Sequence, residues 1–422
     1  MSEMHPAYKT KFTVDIQGVD QSLLEENSIL EVTLTESLLT PSIQCRVSIQ
    51  SARHVGYVKD FDQLAGGRLV VVADREILAL DGQNSTFYTD QPIYKVSERV
   101  PFSYQLDELM ISACHDTLLM DSSRRVSKSW KCTSPSDVVS DVLQQCIGAA
   151  QLDIESSMPQ RTYFAENIHP FQVINQQSDI ALAGGSDPSF LHYMTFNNNG
   201  THHFRSLKNL TEQAPYKTGG EANLVNSEKG VFEYREKGLV DLTFGDPYAI
   251  LSYEFPCDFD ILAELMNGFD LDGNPQHSVL VLNPFNGLHS ILGGDNSGCG
   301  MGGQEIEFAL SNIESGQDEG NCEIDVEKYR LNRSARMRLL ESDMVALRMT
   351  IGFNPNLHVG NMIEVKLPNK IYKENGDVTI QPDYGSGTYL ISSIVHTLRP
   401  SGFSISTLDC VSKAVGSGMT RG

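Results

Sequence analysis

Gly67-Arg68-Leu69-Val70-Val71-Val72, Ile93-Tyr94-Lys95-Val96-Ser97 and Ser103-Tyr104-Gln105-Leu106 are echoed later in the chain. The echo runs Gly360-Asn361-Met362-Ile363-Glu364-Val365, then Thr388-Tyr389-Leu390-Ile391-Ser392, then Gly402-Phe403-Ser404-Ile405. From Gly67 to Tyr94 is 27 residues, and from Gly360 to Tyr389 is 29. Three apolar, strand-like runs in one order at nearly one spacing predict a duplicated β module, with Tyr94 and Tyr389 as matched positions. Duplication has a symmetry consequence. Three copies of such a chain would present six similar modules in a ring, and could mate with a sixfold partner at one end and a threefold partner at the other.

The flanking sequence extends the β reading. Lys11 to Ile16, Ile29 to Leu34 and Ser42 to Ile49 alternate apolar and polar with period two, as half-buried strands do. Six or more short strands before residue 115 predict a small barrel or sandwich. From Arg333 to Val411 the same period returns. Between the two the pattern changes. Ser134-Pro135-Ser136-Asp137 is a helix start, with Ser134 as N-cap and Pro135 at the first helical position. Val138, Val139, Val142, Leu143, Cys146 and Ile147 follow on one face, and Gly148 stops it. A second helix is predicted from Pro170 to Ala183. A hairpin is predicted from Phe190 to Arg205 across Asn197-Asn198-Asn199-Gly200. Strands are expected at Val231 to Tyr234 and Ala249 to Tyr253, and a short helix at Phe259 to Met266. Residues 267–325 are rich in Gly, Asn and Asp and read as loop.

At 422 residues the chain should hold two to four domains. No apolar run is long enough for a membrane helix, and the start lacks the pattern of a signal peptide. Net charge is −22, which argues against generic nucleic-acid binding. The charge is uneven: residues 238–327 hold 17 acids and no lysine or arginine, against 32 basic and 37 acidic residues elsewhere. Such a one-signed surface repels polyanions or docks on a basic partner. The eight cysteines, none in a C-x-x-C pair, read as buried, reduced thiols.

Candidate chemistry is sparse. Cys114-His115-Asp116 has the residue types of a nucleophile set. On a strand, however, neighbours face opposite ways, which leaves a core cysteine beside a surface histidine. His202-His203 sits on the predicted hairpin with only one ring outward. Asp258-Phe259-Asp260 and Asp270-Leu271-Asp272-Gly273-Asn274 lack the glycine and glutamate positions of an EF-hand. Glu305 and Glu307 could form a carboxylate pair only on a strand. Phosphate-loop and nucleophile-elbow motifs are absent. Trp130 reads as a packing anchor. No catalytic, cofactor or metal residue is assigned.

Several motifs, in their order, resemble the baseplate hub proteins of contractile-tailed phages and the related base of type VI secretion spikes. They are Val359-Gly360-Asn361-Met362-Ile363-Glu364-Val365, Leu367-Pro368, Ser386-Gly387-Thr388-Tyr389-Leu390-Ile391 with Val395-His396, Asn167-Ile168-His169-Pro170-Phe171, and Val126-Ser127-Lys128 leading to Ser134. The resemblance implies an α+β, mainly β fold, with two similar small β-barrel domains and an α/β middle domain, assembling as a trimeric ring. Residues 1–115 would be the first barrel. Residues 116–215 and 256–328 would be the middle domain with an acidic Gly-rich insert. Residues 216–255 and 329–412 would be the second barrel, and 413–422 a tail.

The implied protein is a structural virion component of the tail baseplate, made in the host cytoplasm. It would match the sixfold tail tube to the threefold spike and form part of the DNA channel. Implied partners are tail tube proteins, a central spike protein and inner baseplate wedge proteins. Double-stranded DNA would pass without specific binding, helped by acidic walls. Strand edges near Arg68 to Val72 and Asn361 to Val365 would line the ring. The insert at 286–325 departs from the family pattern. A tail-associated cell-wall hydrolase or a glycan-binding tail protein is the alternative.

Overall fold

A computed structural model describes residues 10–17, 29–52, 66–74, 86–101, 106–184, 187–216, 230–234, 248–256, 278–282, 289–292, 306–310, 347–372, 378–382, 385–400 and 404–412. The first strands are β1 (Lys11–Ile16), β2 (Ile29–Ser37), β3 (Gln44–Ala52), β4 (Arg68–Asp74), β5 (Thr86–Pro101) and β6 (Leu106–Cys114). They lie side by side in the order β1-β4-β5-β6-β3-β2. Alternation along β4 turns Leu69, Val71 and Ala73 into the core with Val14, Ile16, Val32, Leu34, Cys45, Val47, Ile111 and Ala113.

The chain then enters the middle unit through α1 (Asp116–Ser123) and β7 (Val126–Thr133). The predicted capping holds at α2 (Pro135–Asp141): Ser134 Oγ accepts from the Asp137 N–H at 3.2 Å. A π-helical turn over 142–147 ends at Gly148 with φ +77°. Next come β8 (Leu152–Ile154), β9 (Arg161–Ile168), α3 (Pro170–Ile180), β10 (Phe190–Thr195), β11 (Thr201–Ser206) and α4 (Leu207–Glu212). The hairpin turn uses positive φ at Asn198, Asn199 and Gly200, as its composition predicts. Val138, Val142, Leu143, Val173, Ile174, Phe190 and Phe204 form this unit's own core.

The last strands are β12 (Val231–Tyr234), β13 (Ala249–Glu254), β14 (Ser278–Leu282), β15 (His289–Leu292), β16 (Ile306–Leu310), β17 (Leu347–Gly352), β18 (Met362–Lys366), β19 (Pro368–Tyr372), β20 (Val378–Pro382), β21 (Gly387–Leu398) and β22 (Ile405–Ser412). Six of these close on themselves as a barrel, β21-β18-β12-β13-β17-β22, because β21 also pairs with β22. Residues 267–325 are not all loop. The short apolar runs of β14, β15 and β16 form a three-stranded sheet inside the glycine-rich context that hides them. The helix expected at Phe259 to Met266 lies outside the described residues.

The two sets of six strands have one spatial order. Taken along the chain, β1 to β6 occupy the places of β12, β13, β17, β18, β21 and β22. Two irregularities recur at matched places. The β5–β6 ladder shifts between Ile93 and Lys95, and the β21–β22 ladder between Ile391 and Ser393. The β2–β3 ladder shifts between Ile29 and Glu31, and the β13–β17 ladder between Ile250 and Ser252. Gly66 and Gly360, at φ +87° and +84°, each donate an N–H to the carbonyl of the bulge isoleucine, Ile93 or Ile391.

These bonds correct the register of the echo. Gly66, not Gly67, matches Gly360, and Tyr94 falls at the place of Ser392, not Tyr389. A bulge fixes register more firmly than an aromatic match, because it marks where the ladder itself changes step. The sets also differ. β1 runs antiparallel to β4, whereas β12 runs parallel to β18. Among the described residues the first set is open between β1 and β2, so the closed six-stranded barrel belongs to the second set.

Candidate functional site

The parts of the fold meet at a junction built around β2. Strand β2 pairs with β3 on one edge and with β21 on the other, from Val32↔Leu398 to Ser37↔Ser393. One strand therefore makes a continuous sheet of both sets. Alternation along β2 buries Val32, Leu34 and also Glu36, which is 0% exposed. Its Oε1 accepts from the Phe196 N–H at 2.6 Å and lies 3.0 Å from His358 Nδ1. Its Oε2 accepts from the Val359 N–H at 3.0 Å. Burial opposes the charge, yet His358, the Phe196 N–H and His396 together hold the carboxyl below its usual range.

Glu36 thus staples the first sheet to the middle hairpin and to the loop before β18. Apolar contacts converge at the same place. Phe87 meets Phe196 edge-on at 5.2 Å and Phe353 at 6.5 Å, one ring from each part. A Cβ on Gly360 would stand 2.8 Å from Tyr193 Oη, so only glycine lets β10 approach the barrel this closely. A second tie is polar. Arg68 bonds Asp90 at 2.6 Å and reaches Asp116 at 3.0 Å, and the Asp90 N–H donates to Asn199 Oδ1 at 2.9 Å.

The sequence candidates for chemistry do not assemble into an accessible site. Cys114 ends β6 and is buried, while His115 caps α1, accepting from the Thr117 N–H at 3.3 Å. The strand reading fails at this point, because the chain turns into a helix. His115 is half-buried, not a surface residue. Asp116 is engaged with Arg68.

His202 is buried and stacks on His192, with His192 Nε2 3.0 Å from His202 Nδ1. Burial drives His192 down to about 3 and His202 well below its usual range, so both rings are neutral at pH 7. Trp130 is buried, stacked on Tyr163 at 5.7 Å, and donates Nε1–H to Asp141 at 2.9 Å, as a packing anchor does. The cysteine reading holds for Cys45, Cys114 and Cys410, which are buried, but Cys132 is exposed. Glu305 and the Asp258 to Asn274 motifs lie outside the described residues. Among the described residues no cluster of His, Cys, Asp and Glu could hold a metal, and no helix is long and apolar enough to cross a membrane.

One arrangement has the connectivity of a hydrolase triad and was not visible in the sequence. Asp153 Oδ2 lies 2.8 Å from His203 Nδ1, and His203 Nε2 lies 3.0 Å from Thr195 Oγ1. The His203 bond is the main cause holding Asp153 down to about 2. Three features remove it from catalysis. Thr195 is 2% exposed, so no substrate can reach its hydroxyl. Asp153 is shared with Arg205 at 2.8 Å. Tyr193 stacks on the His203 ring at 4.8 Å. The set is a hydrogen-bonded cross-tie of β8, β10 and β11. Detecting it required the parallel β8–β11 register, His203↔Asp153, which no local pattern encodes.

No family model matches the sequence, and no curated protein matches it. Solved structures do. A tail protein from Neisseria meningitidis MC58 is 12% identical, with 96% of this chain and 97% of that chain covered and a TM-score of 0.53. The 43 kDa tail protein of prophage MuSo2 from Shewanella oneidensis is 9% identical, with 95% and 97% covered and a TM-score of 0.50. A type VI secretion component of E. coli is 9% identical, with 96% and 78% covered and a TM-score of 0.45. Over nearly its whole length, the chain has the fold of the two tail proteins.

Proposed function

We propose that this chain is a structural subunit of a contractile phage tail, the central hub of its baseplate. The carrying observation is the repeated strand order with both bulges in matched places. It gives each chain two similar faces, so that three copies offer six. The likeness in fold to two tail proteins supports the same reading. On it, the hub is a homotrimer that meets a sixfold tail tube on one side and a threefold spike on the other, with wedge proteins around it. Its acidic excess keeps the passing DNA from adhering, since like charges repel within a Debye length of roughly 8–10 Å. Its work is contact, without turnover, and the buried Thr195 fits that. The site of action is the virion tail.

The test is mass in solution by light scattering across a concentration series, with electron microscopy of the particles. Rings of three chains with six lobes are expected. A monomer at every concentration would overturn the hub.

A further inference from the structure

Four side chains of the middle unit form one line of hydrogen bonds, which starts in its core and ends at the tie to the first strands. His192 Nε2 lies 3.0 Å from His202 Nδ1, and His202 Nε2 lies 3.1 Å from Thr117 Oγ1. Thr117 Oγ1 lies 2.9 Å from His115 Nδ1, and the His115 ring donates in turn to the Asn199 carbonyl. We propose that this line is an acid sensor: a proton taken up at His115 Nδ1 releases the start of α1, where the chain passes from the first strand set into the middle unit. The device belongs to the single chain and stands apart from the hub reading.

The ends of the line fix the direction of every donor in it. A carbonyl only accepts, so the nitrogen that meets Asn199 is an N–H. The Thr117 N–H only donates, and it points at His115 Nδ1 at 3.3 Å. His115 is therefore the neutral Nε2–H tautomer, with Nδ1 as acceptor. Thr117 Oγ1–H donates to that nitrogen and its oxygen accepts from His202 Nε2–H. His202 Nδ1 is left bare and accepts from His192 Nε2–H. The last nitrogen, His192 Nδ1, must then be a bare acceptor, and it is buried without a partner. Gly200, at φ +120°, lets the hairpin turn close over His115, since a Cβ there would stand 2.6 Å from Nε2.

Protonation undoes one end of this line. With a hydrogen on Nδ1, His115 accepts nothing. The Thr117 N–H loses its acceptor, and a cation stands at the N-terminal end of α1, where the helix dipole disfavours it. The Nε2–H bond to Asn199 survives, because that nitrogen donates in both forms.

The surroundings keep the ring neutral at pH 7. Burial holds it below its ordinary value, Asp116 and the Asn199 carbonyl pull it up, and Arg68 of β4 pushes it down. Arg68 in turn engages Asp116 and Asp90 of β5. The buried Cys114 thiol of β6 stays protonated. His202 of β11 stands edge-on to His115 at 6.2 Å and is stacked on His192 of β10, and both are neutral. His203 of β11 is bonded to Asp153 of β8. Phe171 of α3 covers the His192 and His202 rings at 5.2 and 6.0 Å. A histidine held below its ordinary value of about 6.5 stabilises in full above that pH, and the contribution is lost as pH falls through the folded value. The cap is thus complete at pH 7 and opens on acidification.

Hydrogen exchange of the full chain, with each rate corrected for the intrinsic effect of pH, is the test. From pH 7 to pH 4.5 the amides of Thr117 and the first turn of α1 should lose protection by about fivefold. The Asp90 amide, bonded to Asn199 Oδ1, should keep its protection over the same range. Equal loss at both places is general loosening and overturns the sensor. H115N supplies a cap that does not titrate, so its α1 should hold constant protection although His192 and His202 remain. The same acid loss in H115N as in the native chain overturns the assignment to His115. Should H115N fail to fold, the native chain decides alone: unchanged protection of α1 down to pH 4.5 overturns the sensor.

Discussion

Replacing Glu36 by glutamine removes a charge and almost nothing else, so it isolates what the staple contributes. In the native chain two backbone N–H groups and one imidazole converge on this carboxylate. Glutamine keeps one oxygen, which in the Oε1 place still serves the Phe196 N–H and His358. Its NH2 then faces the remaining donor, leaving a buried N–H without an acceptor. A hydrogen bond to a charged group is worth about 1.5–3 kcal/mol, and a buried orphan costs about 1–3 kcal/mol. Burying a neutral amide is cheaper than burying a charge, which offsets part of the loss. The expected net destabilisation of E36Q is about 3 kcal/mol at pH 7. At about 2–4 °C per kcal/mol for units of 150–250 residues, that is a fall of roughly 6–12 °C in Tm.

The assay is calorimetry of both proteins from pH 7 down to pH 3. Because the folded carboxyl titrates below its unfolded value of about 4.3, its stabilisation is complete above that pH. It is lost as pH falls through the folded pKa. The gap between the two proteins should therefore be constant from pH 7 to 5 and close below about 4. A gap under about 1 kcal/mol at pH 7, or one that widens on acidification, would refute the assignment of Glu36 as an ionised staple.

Gly360→Ala should destabilise by about 1–3 kcal/mol through its positive φ and the crowding of Tyr193, while Gly387→Ala, which meets nothing within 4 Å, should be near neutral; chemical denaturation compares them. Burial depresses His396 to about 4 and His192 to about 3. Their stabilisation is complete above the unfolded value near 6.5 and should drain away as pH falls from there toward 4, so Tm should decline over that window, and a flat profile would contradict neutral buried rings. Ser134→Ala should cost about 1 kcal/mol by uncapping α2, read by urea melts. Zymograms against cell wall should be blank for the native chain and for Thr195→Val alike, and a lytic signal that T195V abolishes would overturn the non-enzymatic reading.

What the sequence made legible was local. Period-two alternation located β2, and the same parity that buries Val32 and Leu34 places Glu36 inward. The staple was thus readable as an acid in an apolar phase, although no signal in the sequence pairs it with Phe196 or His358. Ser134 and Pro135 marked a real helix start because a cap is decided within one turn. The strand echo was readable too, but its register was not. Matching Tyr94 to Tyr389 rests on side-chain likeness, whereas the ladder steps at Ile93 and Ile391 depend on partners far along the chain. His115 was misplaced for a related reason: where a strand ends depends on the residues after it, and Asp116 and Thr117 already belong to a helix.

The two strand sets differ where difference is tolerable. The strands from β2 to β6 match β13 to β22 in order, direction and two bulges, while β5 has a further shift between Ser97 and Val100 that β21 lacks and the first strand reverses from β1 to β12. An edge strand such as β1, paired among the described residues with β4 alone, can reverse without disturbing the ladders between the others. The strands that carry the seam cannot, because a shift of one residue would send every side chain on them to the wrong face. The bulges sit on these strands, β2 and β5 in one set and β13 and β21 in the other, and a bulge re-aims the edge beyond it. Agreement therefore extends over β2 to β6 and their counterparts, and it includes β2 and β21, whose edges meet at the seam. If the first strand were what the duplication preserves, β1 and β12 would run the same way and β2 with β13 would be free to vary. The observed pattern is the reverse, and it is the pattern expected of a chain in which contact between modules, rather than closure of each barrel, is what the repeat maintains.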